Sequence, residues 1–235
     1  MSGKAPADLT LLRFRPSTRH RALMVCLPDA DRPAGFFGTF AEALAPSIDV
    51  LAVQYPDRWV RPWEPAREGL RERAARLVDE VRGRTDRPVL LFGHGIGAVL
   101  GFEMAVMLEQ EQEKERVCGV EPMALFASGC PAPSRLGDAD AAYECDEGVR
   151  VRVPIFALGG EDDARADVSD VLVWREHTER EFQIKMLPGG ALFLEDNLPD
   201  VVASVTGFLQ PVLGAEVIDI SRRRRLSRRR RSENP

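Results

Sequence analysis

The sequence predicts an α/β fold, a mostly parallel sheet with helices on both faces. Three observations carry that expectation. Apolar runs alternate with amphipathic stretches along nearly the whole chain, in βαβ order. Several of the runs are apolar at every position, as strands covered on both faces require. The chain has 235 residues, with 44% hydrophobic and 29% charged side chains, enough for one domain with a large core.

The elements follow in order. Leu9–Phe14, Ala22–Leu27 and Val50–Val53 read as strands. The stretch Ala66–Arg82 places Leu70, Ala74, Leu77 and Val81 on one helical face. Val89–Phe92 is a continuous apolar strand. Gly97–Glu115 is a helix that begins apolar all round and ends in EQEQEKE, so its first half is expected to be buried. Met123–Ala127, Ile155–Leu158 and Phe182–Leu187 complete the strands, and Asp167–His177 and Asp200–Leu209 supply two later helices. Residues 1–220 are expected to form one domain. The segment 221–235, SRRRRLSRRRRSENP, reads as a disordered tail.

Charge divides the chain unevenly. The tail's eight arginines and one glutamate give +7, whereas the other 220 residues, 24 basic and 36 acidic, give −12. An acidic body does not attract nucleic acid unaided. The tail is suited to acidic partners, the body itself among them. No apolar run approaches the roughly 18 residues of a membrane span, and the first residues lack the apolar core of a secretory signal. Cys26, Cys118, Cys130 and Cys145 have neither CxxC nor Cys/His spacing, so neither zinc nor a disulfide framework is expected. A reduced cytoplasmic protein without metal or cofactor is the expectation.

Residues 91–101, LFGHGIGAVLG, hold the most informative motif. A strand ends, a Gly-x-Gly-x-Gly turn follows, and a helix starts near Ile96. That context matches the nucleophile elbow G-x-S-x-G except at its centre, where Gly95 stands in place of serine. Gly93 and Gly97 suit the sharp turn and the close strand–helix packing of such an elbow. Two other readings stay open: a phosphate-cradling loop, whose G-x-G-x-x-G spacing is not met, and a tight turn without chemistry.

Further words extend the match: VLAVQYPDRWVRPWEP (50–65), LLFGHGIGAVLGFEMA (90–105), LFASGCPAPSR (125–135), VPIFALGGEDDA (153–164), WREHT (174–178) and LPGGALFLEDN (187–197). On these words the chain resembles the type II thioesterases, free-standing α/β-hydrolases that accompany polyketide synthases and non-ribosomal peptide synthetases. The resemblance implies an α/β-hydrolase fold, a Ser–His–Asp triad with an oxyanion hole, and carrier-protein thioesters as substrates. It places the serine at Gly95 and the histidine at Ala191, so both positions are vacant, whereas the acid falls on Asp163, with Asp162 as the alternative. The oxyanion N–H groups map to Ile96 and to a residue near Ala30, in a loop where Asp31 and Arg32 replace the family's glycine pair. The family's lid is reduced to the ten residues from Ser134 to Tyr143, so the lid is expected to be essentially deleted.

Other residues offer themselves as substitutes. His94 flanks the vacant nucleophile and is chiefly structural at that place in the family. Cys130 lies at a strand's C-terminal edge, where functional groups gather in open sheets, but a buried inert thiol is the plainer reading. His177 lies in a predicted helix, which suggests a helix-surface or capping role rather than a base. Glu161, Asp162 and Asp163 form an acidic group that is either a solvated loop or an acid/base site. Removing the serine or histidine of a triad costs a factor of roughly 2 × 10⁶ in kcat. The expectation is therefore a protein unable to hydrolyse acyl thioesters by the Ser-His-Asp route. It would act as a binding or accessory protein toward an acyl or peptidyl carrier protein, a synthase or a small pathway intermediate. The alternative is a non-hydrolytic enzyme, a cyclase, lyase or isomerase, with Asp163 as acid/base.

Overall fold

The computed structural model describes residues 10–29, 32–55, 69–115, 120–136, 143 and 145–213; of 112–115 and 211–213 only the backbone is described. Seven strands form one sheet: β1 (Thr10–Phe14), β2 (Ala22–Leu27), β3 (Ile48–Gln54), β4 (Val89–His94), β5 (Pro122–Ser128), β6 (Ile155–Gly160) and β7 (Phe182–Leu187). Their order across the sheet is β1-β3-β2-β4-β5-β6-β7. Only the edge strand β1 runs antiparallel, against β3; every other pairing is parallel. All seven expected strands are present, extended or trimmed by one or two residues at their ends. The wholly apolar runs β2 and β4 are buried at every position, whereas the edge strands β1 and β7 are largely exposed or half-buried.

Six helices flank the sheet: α1 (Phe37–Leu44), α2 (Leu70–Arg82), α3 (Ile96–Glu115), α4 (Val168–Leu172), α5 (Phe193–Asp196) and α6 (Leu198–Leu213). α2 buries Leu70, Ala74, Leu77 and Val81, the stripe its spacing predicts, and its first turn is closed by the Glu72 carboxylate accepting from the Gly69 N–H at 3.2 Å. The expected helix over 167–177 divides: α4 is capped by Asp167, which accepts from the Ser169 and Asp170 N–H groups, and then tightens into a 3₁₀ turn over Val173–His177. The Ser169 hydroxyl, donating to the same carboxylate at 2.6 Å, and these two N–H groups hold the Asp167 carboxyl below its ordinary range. Helix α1 was not expected from the sequence, because its phenylalanines and Gly38 give a weak local signal. Its Phe37, Phe40, Ala41 and Leu44 are buried, so packing forms this helix more than propensity does.

The core lies in two layers. One holds α2, α3 and Trp174 against the sheet, the other Phe37, Phe40, Phe92, Phe126, Phe193 and Phe208 on the opposite face. The chain steps from β2 to β3 in one direction and from β3 to β4 in the other, so the topological switch falls between the adjacent β2 and β4. Ligands of open α/β sheets bind just beyond the C-terminal strand ends at such a switch. The tail 221–235 and lid-equivalent residues 137–142 and 144 lie outside the described residues.

Candidate active site

Register places the site. In the β2–β4 pair Leu27 lies opposite Gly93, so residues 29 and 95, each two positions further on, emerge side by side at the switch. Gly95 turns the chain from β4 into α3 with φ +56°, and its N–H donates to the Ser128 carbonyl at 2.8 Å. That left-handed conformation disfavours other residues but is the one a nucleophile elbow needs. Gly97, one residue into α3, has no such freedom to exploit. It is glycine because a Cβ there would stand 2.1 Å from the Leu27 carbonyl oxygen. Strand β2 is thereby drawn against the start of α3, bringing Asp29 over the elbow.

Asp29 fills the space above Gly95. A Cβ built on Gly95 would lie 2.3 Å from Asp29 Cγ and 2.4 Å from its Oδ2. The Ile96 N–H, the donor expected to serve an oxyanion, instead donates to Asp29 Oδ1 at 3.4 Å. The first turn of a 20-residue helix favours an anion there. A carboxylate of the chain itself thus lies over Gly95, the position the resemblance gives to the serine, and within 3.4 Å of the Ile96 N–H. The neighbouring Tyr55 phenol is pushed up by burial and by the Asp29 charge.

Arg165 joins Asp29 to the acid position. Its Nη1 lies 3.5 Å from Asp29 Oδ2 and its Nε 3.6 Å from Asp163 Oδ1, which also accepts the Arg165 backbone N–H at 3.1 Å. Asp163 is 3% exposed, and its Oδ2 has no hydrogen-bond donor among the described residues. The loop carrying it is clasped to the β7–α5 turn: the Asp162 N–H donates to the Gly189 carbonyl at 3.0 Å, and the Glu161 N–H to that of Leu187 at 2.8 Å. The loop of Asp163 and the turn that holds Ala191 are therefore neighbours, but Ala191 has no N–H to offer from its side chain. Glu161 and Asp162 are exposed, so the acidic group divides into one buried carboxylate and two solvated ones.

A second charged side chain reaches position 191. Arg32, only 14% exposed, pairs through Nη1 with Glu195 Oε1 and directs Nη2 to the Ala191 carbonyl at 3.5 Å, with its guanidinium 5.8 Å from the Phe36 ring centre. Asp29 and Arg32 come from the same loop after β2. The sequence reading marked that loop as altered but did not identify Asp29, Arg32 or Arg165 as site residues. The one available signal was the strand register, which cannot be read until β2 and β4 are known to be neighbours. Ala30 lies outside the described residues.

The remaining candidates lie buried in the packing around the sheet. His94 is fully buried, with Nδ1 3.1 Å from Ser128 Oγ and its ring 6.0 Å from that of Phe193. Cys130 is buried, and its backbone carbonyl accepts from the Trp174 indole N–H at 3.0 Å. His177 departs from its expected helix-surface place: it is 6% exposed, packed edge-on to Phe102, with Nε2 2.9 Å from Ser134 Oγ. Burial pushes its pKa below the usual 6.5. Since the unfolded chain then binds a proton that the folded chain refuses, stability is full above pH 6.5 and falls as pH drops through that value. His177→Gln should flatten this acid limb in denaturant titrations at stepped pH, and an unchanged slope would assign the loss elsewhere. No cluster of metal-ligating side chains occurs among the described residues, and no helix among them is long and apolar enough to cross a membrane.

Comparison with known proteins agrees with this frame. The thioesterase domain family model matches residues 23–152. The thioesterase PikA5 of Streptomyces venezuelae is 29% identical, over 89% of this chain and 88% of its own length. The structure of the type II thioesterase BorB from the borrelidin biosynthetic cluster superposes with a TM-score of 0.73 at 32% identity, covering 85% of this chain and 96% of that one. RedJ, a thioesterase from the prodiginine pathway of Streptomyces coelicolor, superposes with a TM-score of 0.70 at 22% identity, over 87% and 95% of the two chains, a likeness of fold. With the parallel sheet, the elbow turn at Gly95 and these relatives together, the chain belongs to the thioesterase family, as a type II thioesterase-like protein of the polyketide and non-ribosomal peptide kind.

Proposed function

We propose that this protein holds intermediates of a polyketide or non-ribosomal peptide pathway without hydrolysing them, as a cytoplasmic binding or accessory protein toward a carrier protein or synthase. The observation that carries the reading is Asp29 in the seat at Gly95, on the Ile96 N–H. Serine-type hydrolysis needs an attacking oxygen, a base and an oxyanion donor. Position 95 has no side chain, position 191 is a methyl group, and the donor at Ile96 is directed to a carboxylate. A carboxylate oxygen beside a developing oxyanion raises the barrier further, by like-charge repulsion. Acid/base chemistry through Asp163 is the weaker reading, since that carboxyl is buried and its Oδ1 already accepts from Arg165.

The test is an acyl-carrier assay. Acetyl- and butyryl-loaded carrier protein incubated with this protein should lose acyl groups no faster than the uncatalysed control, with no acyl-enzyme visible by intact mass. The same carriers should be retained by the immobilised protein. Turnover comparable to that of an intact type II thioesterase overturns the reading, and so does failure to retain any loaded carrier.

A further inference from the structure

Arg165 bridges the carboxylates of Asp29, over Gly95, and Asp163 with a side chain that is itself half exposed. Its contacts of 3.5 and 3.6 Å are longer than good hydrogen bonds, so this cation is held loosely. Its position nevertheless demonstrates that a positive group fits between Asp29 and Asp163. A second, independent feature lies beside it. Asp163 Oδ2 is a buried acceptor with no donor among the described residues, next to a turn where Ala191 supplies none. Buried carboxylate oxygens without partners are costly, and a charged N–H donor is the partner that relieves them most. The surroundings add Glu161 and Asp162 on the same loop and Glu195 across the site, against Arg32, which pairs with Glu195, and Arg73, which acts on Tyr55.

We propose that the site recognises a ligand bearing a protonated amine, such as an aminoacyl thioester, whose ammonium displaces the Arg165 side chain and takes its place between Asp29 and Asp163. This rests on the reading of the site as one that holds intermediates, and it names their chemical class. No bond is made or broken: the ammonium donates to Asp29 Oδ2 and to the Asp163 carboxylate, and the guanidinium moves into solvent. An acyl chain of the same length without the amine brings no donor to Asp29 or Asp163 and cannot replace the Arg165 guanidinium between them. Hydrogen bonds to charged groups correspond to about tenfold or more in affinity.

Two pantetheine thioesters of matched length, β-alanyl and butyryl, discriminate in a calorimetric titration of the full chain. The β-alanyl probe is expected to bind about tenfold tighter or better than the butyryl probe. Arg165→Ala, by removing the internal competitor, should widen that preference, whereas Asp29→Asn should remove it. A merely structural Arg165 would not improve binding when deleted. Equal affinity of the wild-type chain for the two probes overturns the proposal and leaves the non-hydrolytic binding reading standing. Failure of both probes to bind overturns the proposal, while retention of loaded carrier protein decides the binding reading beneath it. Because the deciding comparison uses wild-type protein, a folding defect in either variant does not affect it.

Discussion

Restoring serine at position 95 alone is expected to leave the protein inactive and less stable. A side chain at Gly95 adopts φ +56°, which costs about 1–2 kcal/mol for a residue other than glycine. Its Cβ would also stand 2.3 Å from Asp29 Cγ, so Asp29 must leave its place on the Ile96 N–H. Even with the hydroxyl seated, Ala191 offers no base, and losing that histidine alone holds kcat roughly 10⁶ below an intact triad. Gly95→Ser should therefore show no turnover of acyl-carrier substrates and no labelling by a fluorophosphonate. The combined variant Gly95→Ser, Asp29→Ala, Ala191→His clears the seat, frees the N–H and returns a base beside Asp163. Fluorophosphonate labelling is expected in this triple variant only. Efficient hydrolysis by the single variant would mean that Asp29 does not block the seat.

The contrast between the one-residue and three-residue repairs explains which parts of the molecule were legible in the sequence. The strands were legible because burial on both faces writes continuous apolar runs such as Ala22–Leu27 and Val89–Phe92. That positions 95 and 191 carry no reactive side chain was legible because it is a local fact of the sequence. Asp29 and Arg32 were not, because their roles are set by neighbours 66 and 163 positions away, through the β2–β4 register and the approach of the β7–α5 turn. His177 illustrates the same limit: a helical pattern with flanking charges suggested a surface residue. Yet the 3₁₀ tightening after Leu172 turns it inward against Phe102 and Trp174. Helix α1 adds the converse case, an element formed by packing where local propensity is weak.

The approach of β2 to the elbow depends on Gly97, and a large stability effect is expected there. An alanine Cβ at this position would meet the Leu27 carbonyl oxygen at 2.1 Å, with the Leu27 carbonyl carbon and Pro28 oxygen at 2.8 Å. All three are backbone atoms of the segment that positions Asp29, so no side-chain rotation relieves the contact. Either α3 retreats from β2 or the end of β2 shifts, and both open a core layer that is closed at Leu27, Leu91 and Ala98. Gly97→Ala should cost more than about 4 kcal/mol, in the range reserved for forced backbone movement. For a chain of this size that is a fall of roughly 8–16 °C in Tm. Gly207→Ala supplies the internal control. It lies on the exposed side of α6, where an added Cβ meets nothing within 4 Å. There alanine should stabilise by about 0.5–1 kcal/mol, since glycine's extra backbone entropy in the unfolded chain is removed. Opposite signs from the same chemical change would tie the cost at position 97 to the approach of β2 and α3. A loss below about 1 kcal/mol for Gly97→Ala would mean that the two elements can part without strain, and that Asp29 is not held over Gly95 by this contact.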